Sequence, residues 1–329
     1  LYTLLSGDFE MTGKFMPENV GLANVNTTTM AGLVADALNK RVVNMFQAYP
    51  RFWEPVVSVE DFTSLQQVKW ITVGGIGELD DVPEGAAYTE KNWGDQTEIG
   101  NWVKKGNFLG LTLEAIDRDD TRRLQQTPRA LAQAAWMSLG KAFTRLFTTP
   151  PAMSDGKALF HADHNNLGSS ALSYAAFDTT RTAMAAQTEL NSDEPLGGLT
   201  VPRYLMVSRA REGLSLQVLA SEGEPGTANN DVNPYASGNT HEARLAAAKR
   251  RVIVNDFLAA PDDWYAIADP MMYPSVGLGF RYGRTPEIIS TADPGAYYMF
   301  PQDVMPIKVR WFFVVGPTDW RGVFKHAIV

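Results

Sequence analysis

Apolar positions recur three and four residues apart in two long stretches, and each predicts an amphipathic helix. Met30, Leu33, Val34, Ala37, Leu38, Val42, Met45 and Phe46 form the first, capped by one of the threonines 27–29 and stopped before Pro50. Leu131, Ala134, Ala135, Leu139, Ala142, Phe143 and Leu146 form the second, over 127–148, opened by Thr127 and Pro128 and closed by Pro150. Roughly 21 residues at a rise of about 1.5 Å make this a rod of about 30 Å. Residues 1–28 show no period and read as an extended arm.

Elsewhere the pattern shortens to runs of strand length. Strands are predicted over 56–59, 68–73 and 108–113, then over 204–207 after Pro202, and over 251–255 and 264–268. Further strands are predicted over 287–290, 296–300 and 307–315. Asp178 reads as the cap of a helix running through Met184 to Leu190, and another helix follows near Arg211 to Ala220. Residues 221–240 are polar and turn-rich. Between the strands at 68–73 and 108–113 lies a glycine-rich stretch carrying Glu78, Asp80, Asp81, Glu84, Glu90, Asp95 and Glu98 against the single Lys91. Legs of about 20 residues at about 3.3 Å each predict a hairpin reaching roughly 65 Å. Such length is uncommon unless it is functional.

Composition narrows the class. With 45% apolar and 20% charged residues, the 329-residue chain has a core to bury. No apolar run approaches the roughly 18 residues that span a bilayer, so no membrane partner is expected. Zero cysteines exclude disulfides, thiolate metal sites and cysteine nucleophiles. The net charge of -8 does not suit a protein built to grip nucleic acid, since phosphate contacts dominate such affinity. The chain opens on Leu1 with no basic start or apolar run resembling a secretory signal.

Candidate chemistry is sparse. His161, Asp163 and His164 would offer Zn²⁺ two imidazoles and a carboxylate if a further ligand arrived from elsewhere, but turn residues flank them. Gly74-Gly75-Ile76-Gly77 follows a strand as a phosphate loop would, yet no Gly-Lys-Ser/Thr follows and the next charges are acidic. Asp117, Asp119 and Asp120 would suit Mg²⁺, but Arg118, Arg122 and Arg123 among them favour ion pairs. Trp53, Trp70, Trp93 and Trp102 would stack bases, although an acidic setting favours burial against neighbouring protein. No nucleophile elbow and no His-Glu-x-x-His occurs. No catalytic, cofactor-binding or metal residue is therefore assigned, and no cofactor is expected.

An arm and an acidic loop with no core of their own must be ordered by something else, because fixing each residue's backbone costs about 1–2 kcal/mol. A basic surface exists at Lys104, Lys105, Arg118, Arg122, Arg123 and Arg129, and again at Lys249, Arg250 and Arg251. An acidic loop on the basic surface of another copy is a heterologous contact, the kind that closes rings or shells.

Several motifs, in order, resemble the major capsid proteins of tailed phages, in the branch grouped with the Mu-like head subunit and prohead protease–capsid fusions. A polar loop leads to Gly106 and a strand, then Ile116 with Asp119-Asp120, and the helix begun at Pro128. Pro151 and Ser154-Asp155-Gly156 follow, with Leu159-Phe160-His161 and His164-Asn165-Asn166-Leu167. Pro202 with Leu205-Met206-Val207, the segment 264–270, Pro286-Glu287, Lys308-Val309-Arg310 and Asp319-Trp320-Arg321-Gly322 continue the likeness.

The resemblance implies an α+β chain with the Hong Kong-type (HK97-like) capsid fold. On that plan 1–50 is the N-terminal arm, 51–65 a peripheral-domain strand and 66–112 an extended β-hairpin loop (E-loop). Residues 113–163 and 276–315 form the peripheral domain with spine helix 127–148, and 164–275 with 316–329 the axial domain. It implies a non-enzymatic subunit that assembles with itself into hexamers and pentamers of an icosahedral head. Portal, scaffold and decoration proteins are the other expected partners, and packaged double-stranded DNA would be touched weakly and without specificity. The head would be assembled in the bacterial host cytoplasm and the protein found in the virion. It also implies that maturation removed a segment before Leu1, which stays open beside a simple boundary there. Two alternatives remain: a metal-dependent hydrolase using His161, Asp163 and His164, or another virion protein such as a tail component.

Overall fold

A computed structural model describes residues 40–75, 77–85, 87–91, 94–112, 123–220, 251–290 and 304–328. The expected arm, the first turns of the helix from Met30, Trp93, the carboxylates at 117, 119 and 120, the stretch 221–240 and the strand at 296–300 lie outside them. In chain order the strands are β1 (Ser58–Asp61), β2 (Val68–Val73), β3 (Asp95–Gly100), β4 (Val103–Thr112) and β5 (Leu167–Gly168). Then come β6 (Pro202–Val207), β7 (Arg251–Val254), β8 (Trp264–Ala268), β9 (Val276–Arg281), β10 (Glu287–Ser290), β11 (Val304–Pro317) and β12 (Val323–His326). The helices with defined bounds are α1 (Arg123–Thr148), α2 (Tyr174–Ala185) and α3 (Glu212–Ala220).

The chain divides into two compact units. The larger comprises Tyr49–Lys105, Ala135–Arg284 and Phe312–Val329. One of its sheets has the order β5-β12-β8-β6-β7, with β8 antiparallel to both β12 and β6 and with parallel pairs at β5–β12 and β6–β7. All five residues of β8 are buried, which is why it reads as an unbroken apolar run. Trp264, Ala266 and Ala268 join Phe177 and Met184 of α2 and Val218 of α3 in one core. Alternation turns Tyr265 to the other face, where its ring meets Phe147 of α1 at 5.3 Å and Phe160 at 5.9 Å.

Two helix boundaries differ from those predicted. The Ser173 hydroxyl accepts from the Ala176 N–H at 3.1 Å and caps α2, so the helix begins before Asp178. Asp178 sits within it, paired with Arg181 at 3.3 Å, because the apolar stripe of Ala176, Phe177 and Met184 already starts upstream. The helix stops at Ala185, short of Leu190. Likewise α1 starts at Arg123, ahead of the Thr127–Pro128 pair, and the proline lies within the helix, where it forfeits one backbone hydrogen bond.

The predicted hairpin is corrected most. β2 pairs antiparallel with β3, from Val68↔Gly100 to Val73↔Asp95, and not with the strand near residue 108. Each leg has six residues, about 20 Å at about 3.3 Å per residue, far below the expected reach. Its inner face is also seated on its own unit. Val68 and Trp70 pack on Val314 of β11, flanked by Phe62 and Trp102. A Cβ at Gly100, Gly277 or Gly316 would come within 2.6 Å of the Trp70 ring, so three glycines make the seat. Two of them lie on neighbouring strands, since β9 runs antiparallel to the second half of β11 and parallel to β1.

The smaller unit comprises Leu1–Ala48, Gly106–Ala134 and Thr285–Trp311. Residues 40–48 are helical, and the buried Phe46 meets Trp311 edge-on at 5.2 Å. β10 pairs antiparallel with the first half of β11, and an ion pair joins Arg310 to Glu287 at 2.8 Å. β4 also pairs with β11, and a Cβ at Gly106 would lie 2.4 Å from the Val309 carbonyl oxygen.

Two measurements test this core. Phe147→Ala removes a fully buried ring and is expected to lower unfolding free energy by about 3–5 kcal/mol in urea titration. His326 is buried, stacked on Trp264 at 4.0 Å, with Nδ1 accepting from the Ser170 N–H, so Nε2–H donates to Thr180 Oγ1 at 2.8 Å. Burial pushes the imidazole down to about 4 from 6.5. Between these values the unfolded chain binds the extra proton, so stability is full above pH ~6.5 and falls by up to about 3 kcal/mol as pH drops through 4. His326→Gln cannot charge and should flatten that part of the pH–stability curve.

Candidate functional site

The histidine-bearing segment is built on the turn Ser154-Asp155-Gly156. Gly156 takes φ +80° and its N–H donates to the Met153 carbonyl, while Ala152 and Ala158 bridge the turn's base. From there the chain returns through a short 3-10 turn, Ala162–His164, and Asn165 leaves it in the left-handed region at φ 50°.

The three candidate ligands do not converge. His161 Nδ1 accepts the Asp163 N–H at 3.2 Å, and the exposed Asp163 carboxylate is taken by Lys157 Nζ at 2.6 Å. That Lys157 hydrogen bond holds the Asp163 carboxyl below the usual carboxylate range. His164 is buried and stacked on Trp320 at 4.4 Å. Its Nδ1 faces the Leu159 carbonyl at 3.2 Å and its Nε2 faces Asp155 Oδ2 at 2.6 Å. Both ring nitrogens therefore face partners inside the subunit, which leaves neither open to a metal. Burial raises the Asp155 carboxyl, but hydrogen bonds from His164 and the Lys157 N–H, with their charges, outweigh it and hold the group below its ordinary value. Among the described residues no group of three or more His, Asp or Glu side chains could hold a metal ion. The hydrolase reading of His161, Asp163 and His164 is corrected accordingly: the trio belongs to a satisfied polar network.

Asn166, fully buried, is the hub of that network. Its Nδ2 donates to the carbonyls of Leu159 (2.7 Å) and Trp320 (3.2 Å), and its Oδ1 accepts the His161 N–H at 3.1 Å. Beside it Arg321 donates to Asp319 at 3.2 Å and to the Thr188 carbonyl at 2.8 Å. Tyr273 donates to Asp319 at 2.7 Å, and burial followed by the Asp319 charge pushes its phenol up.

The other candidates resolve in the same direction. The Gly74–Gly77 run packs against acidic neighbours: a Cβ at Gly75 would overlap the Glu189 carboxylate, and one at Gly77 would touch Ser192. An anion would meet negative charge there. Trp53 and Trp70 are buried within their own unit, which corrects the expectation of burial against a neighbour, and Trp102 donates to the Gln66 carbonyl. Glu98, counted with the acidic loop, is instead buried and clamped: Ser154 Oγ donates at 2.6 Å, the Ser154 N–H at 3.1 Å and Gln96 Nε2 at 3.0 Å. Its register opposite Trp70 explains the burial, because cross-strand partners share a face.

Apolar side chains stand uncovered on the outside. The outer face of the hairpin exposes Ile71 (60%), Val73 (54%) and Ile99 (50%), and the loop beyond it exposes Leu79 and Tyr88. Lys104 and Lys105 on β4 are exposed too, Lys104 lying 5.7 Å over the Phe312 ring.

Against this geometry stand the comparisons with known proteins. A family model described as phage capsid protein matches residues 95–326. The chain belongs to the phage capsid protein family. It is a major capsid subunit, a structural protein and not an enzyme, that associates with its own copies in the capsid of the virion. A solved structure from Mycobacterium phage Adephagia is 12% identical, with 84% of this chain and 89% of that one covered and a TM-score of 0.52. One from Mycobacterium phage Bobi is 11% identical, with 85% and 91% covered and a TM-score of 0.53. At such identity the likeness speaks for the fold, the HK97-like α+β fold of phage capsids. No curated protein matches the sequence. Among the described residues no helix is long and apolar enough to cross a membrane.

Asn166→Ala strips one hydrogen bond from each of the Leu159 and Trp320 carbonyls and takes the acceptor from the His161 N–H, and it is expected to destabilise the capsid subunit by about 1–3 kcal/mol, read by urea unfolding.

Proposed function

We propose that this capsid protein builds the hexamers and pentamers of an icosahedral head around double-stranded DNA, and that the β2–β3 hairpin is a contact each subunit offers to the next. The observation that carries the reading is the hairpin's two-sidedness. Its inner face is fixed on Val314 and three glycines, which leaves Ile71, Val73 and Ile99 in water with no role inside the subunit. Covering apolar surface is worth roughly 25 cal/mol per Å², so a face of this kind favours association.

Charge supports the same contact. Asp80, Asp81 and Glu84 stand exposed in the loop, and Lys91 is engaged by Asp80 at 3.0 Å, so the loop keeps a negative surplus. Lys104 and Lys105 of a sister subunit supply the complementary surface, a heterologous pairing that propagates around a ring. On this reading 1–50 is the arm, 66–112 the extended loop, 127–148 the spine helix, and the remaining segments divide into peripheral and axial domains. Portal, scaffold and decoration proteins are further partners, and the host cytoplasm is the place of assembly.

The test is assembly. Ile71→Asp with Val73→Asp should leave the urea midpoint of the subunit within about 0.5 kcal/mol, as surface changes do, while closed shells disappear from negative-stain images. Lys104→Glu with Lys105→Glu should weaken assembly most at low salt, where screening is least. Round shells of normal yield from both double variants would sink the hairpin contact. Tubes from the unaltered protein would favour a tail component instead.

A further inference from the structure

From Thr121 to Ser154 the sequence holds no Asp or Glu, although the whole chain is acidic with a net charge of -8. Arg122, Arg123, Arg129, Lys141 and Arg145 fall inside that stretch. In the larger unit its second half is the C-terminal part of α1, which buries Leu139, Phe143, Leu146 and Phe147 on one side. Lys141 and Arg145, one turn apart, are exposed on the other, followed by the exposed Thr148 and Thr149.

Three features separate this face from the rest of the surface. First, neither Lys141 nor Arg145 has a carboxylate partner among the described residues. Elsewhere Arg181, Arg203, Arg209, Arg211 and Arg284 are each paired with one, and Lys104 and Lys105, which also lack one, lie on a strand with exposed Val103, Phe108 and Leu109. Secondly, no large apolar residue is exposed between Leu109 and Leu167 among the described residues, whereas the hairpin shows several. Protein interfaces need a desolvated apolar centre and are poor in lysine, so this face does not suit a sister subunit. Thirdly, the helix macrodipole accounts for a cation in the last turn, where Arg145 lies, but not for Lys141 or for an acid-free stretch of this length.

We propose that the solvent face of α1 bearing Lys141 and Arg145 is where the shell meets packaged double-stranded DNA, by contact with backbone phosphates and without reading sequence. The inference rests on the reading of the chain as a shell around DNA and names the surface that reading needs. Two cations per subunit make each contact weak, and repetition over many copies makes the lining effective. The acidic remainder of the chain would keep DNA from adhering elsewhere.

The full-length subunit, before assembly, would be titrated with a fluorescent duplex of about 30 base pairs between about 50 and 200 mM salt. Removing two phosphate contacts in Lys141→Gln/Arg145→Gln should lower the log–log salt slope by about 2, so the wild type loses about tenfold more affinity over that range than the variant. Lys104→Gln/Lys105→Gln serves as the comparison, with a smaller change in slope. An unchanged slope in the α1 variant overturns the proposal. In assembled heads, an amine-acetylating reagent should label Lys141 in emptied particles and spare it in filled ones. Labelling in both, or protection in both, overturns the proposal, the latter by showing a protein cover. Failure of the underlying reading is distinct: filled particles would then contain no nuclease-protected duplex.

Discussion

The indole of Trp70 reaches β9 and β11 only because Gly277 and Gly316 have no side chains, and it clears its own hairpin only because Gly100 has none. This seat governs the orientation of everything attached to β2 and β3. With the ring inserted, alternation forces Ile71 and Val73 outward and, through the register Trp70↔Glu98, brings the Glu98 carboxylate to Ser154. One aromatic contact and one clamped carboxylate therefore fix the hairpin base at two points. The energetic logic is that of any well-filled niche: a methyl group added to the seat forces displacement of the ring, at about 1–3 kcal/mol.

Much of the fold was legible because β8, β6 and the second half of α1 carry strong, uninterrupted signals. β8 is buried on both faces, and the apolar stripe of α1 ends at proline, so tertiary context only confirmed what local pattern demanded. β9 was invisible for a physical reason. Its alternate positions are Gly277 and Gly279, emptied to admit Trp70 and Phe62, and glycines in a strand read as a turn. The hairpin was misjudged because its second leg, Asp95 to Gly100, is polar and looks like loop until its partner is known. The start of α2 was missed because Ser173 and Asp178, five residues apart, are cap signals of similar strength and the later one was taken.

The candidate site was legible in its residues but not in its meaning. His161, Asp163 and His164 lie together as their spacing suggested, yet sequence could not show that Asp155, Lys157, Leu159 and Trp320 would absorb their polar atoms. Asn166 offered no chemical signal of its own, and it ties two stretches of backbone together, 159–161 and Trp320. The resemblance to tailed-phage capsid proteins was carried in part by these same residues.

The distribution of satisfied and exposed groups suits the assembly role that the family gives this chain. Asp155, His164, Asn166, Asp319 and Arg321 all find partners within the subunit. Among the described residues, exposed apolar surface stands on the hairpin and cations without carboxylate partners on β4 and α1. In the proposed contact, apolar surface would give non-directional association, and charge of opposite sign on loop and strand would supply the register that hydrophobic contact lacks. Rigid polar networks within the subunit and adhesive surfaces outside it are complementary requirements, since a shell closes only if each copy presents its contacts at the same angles.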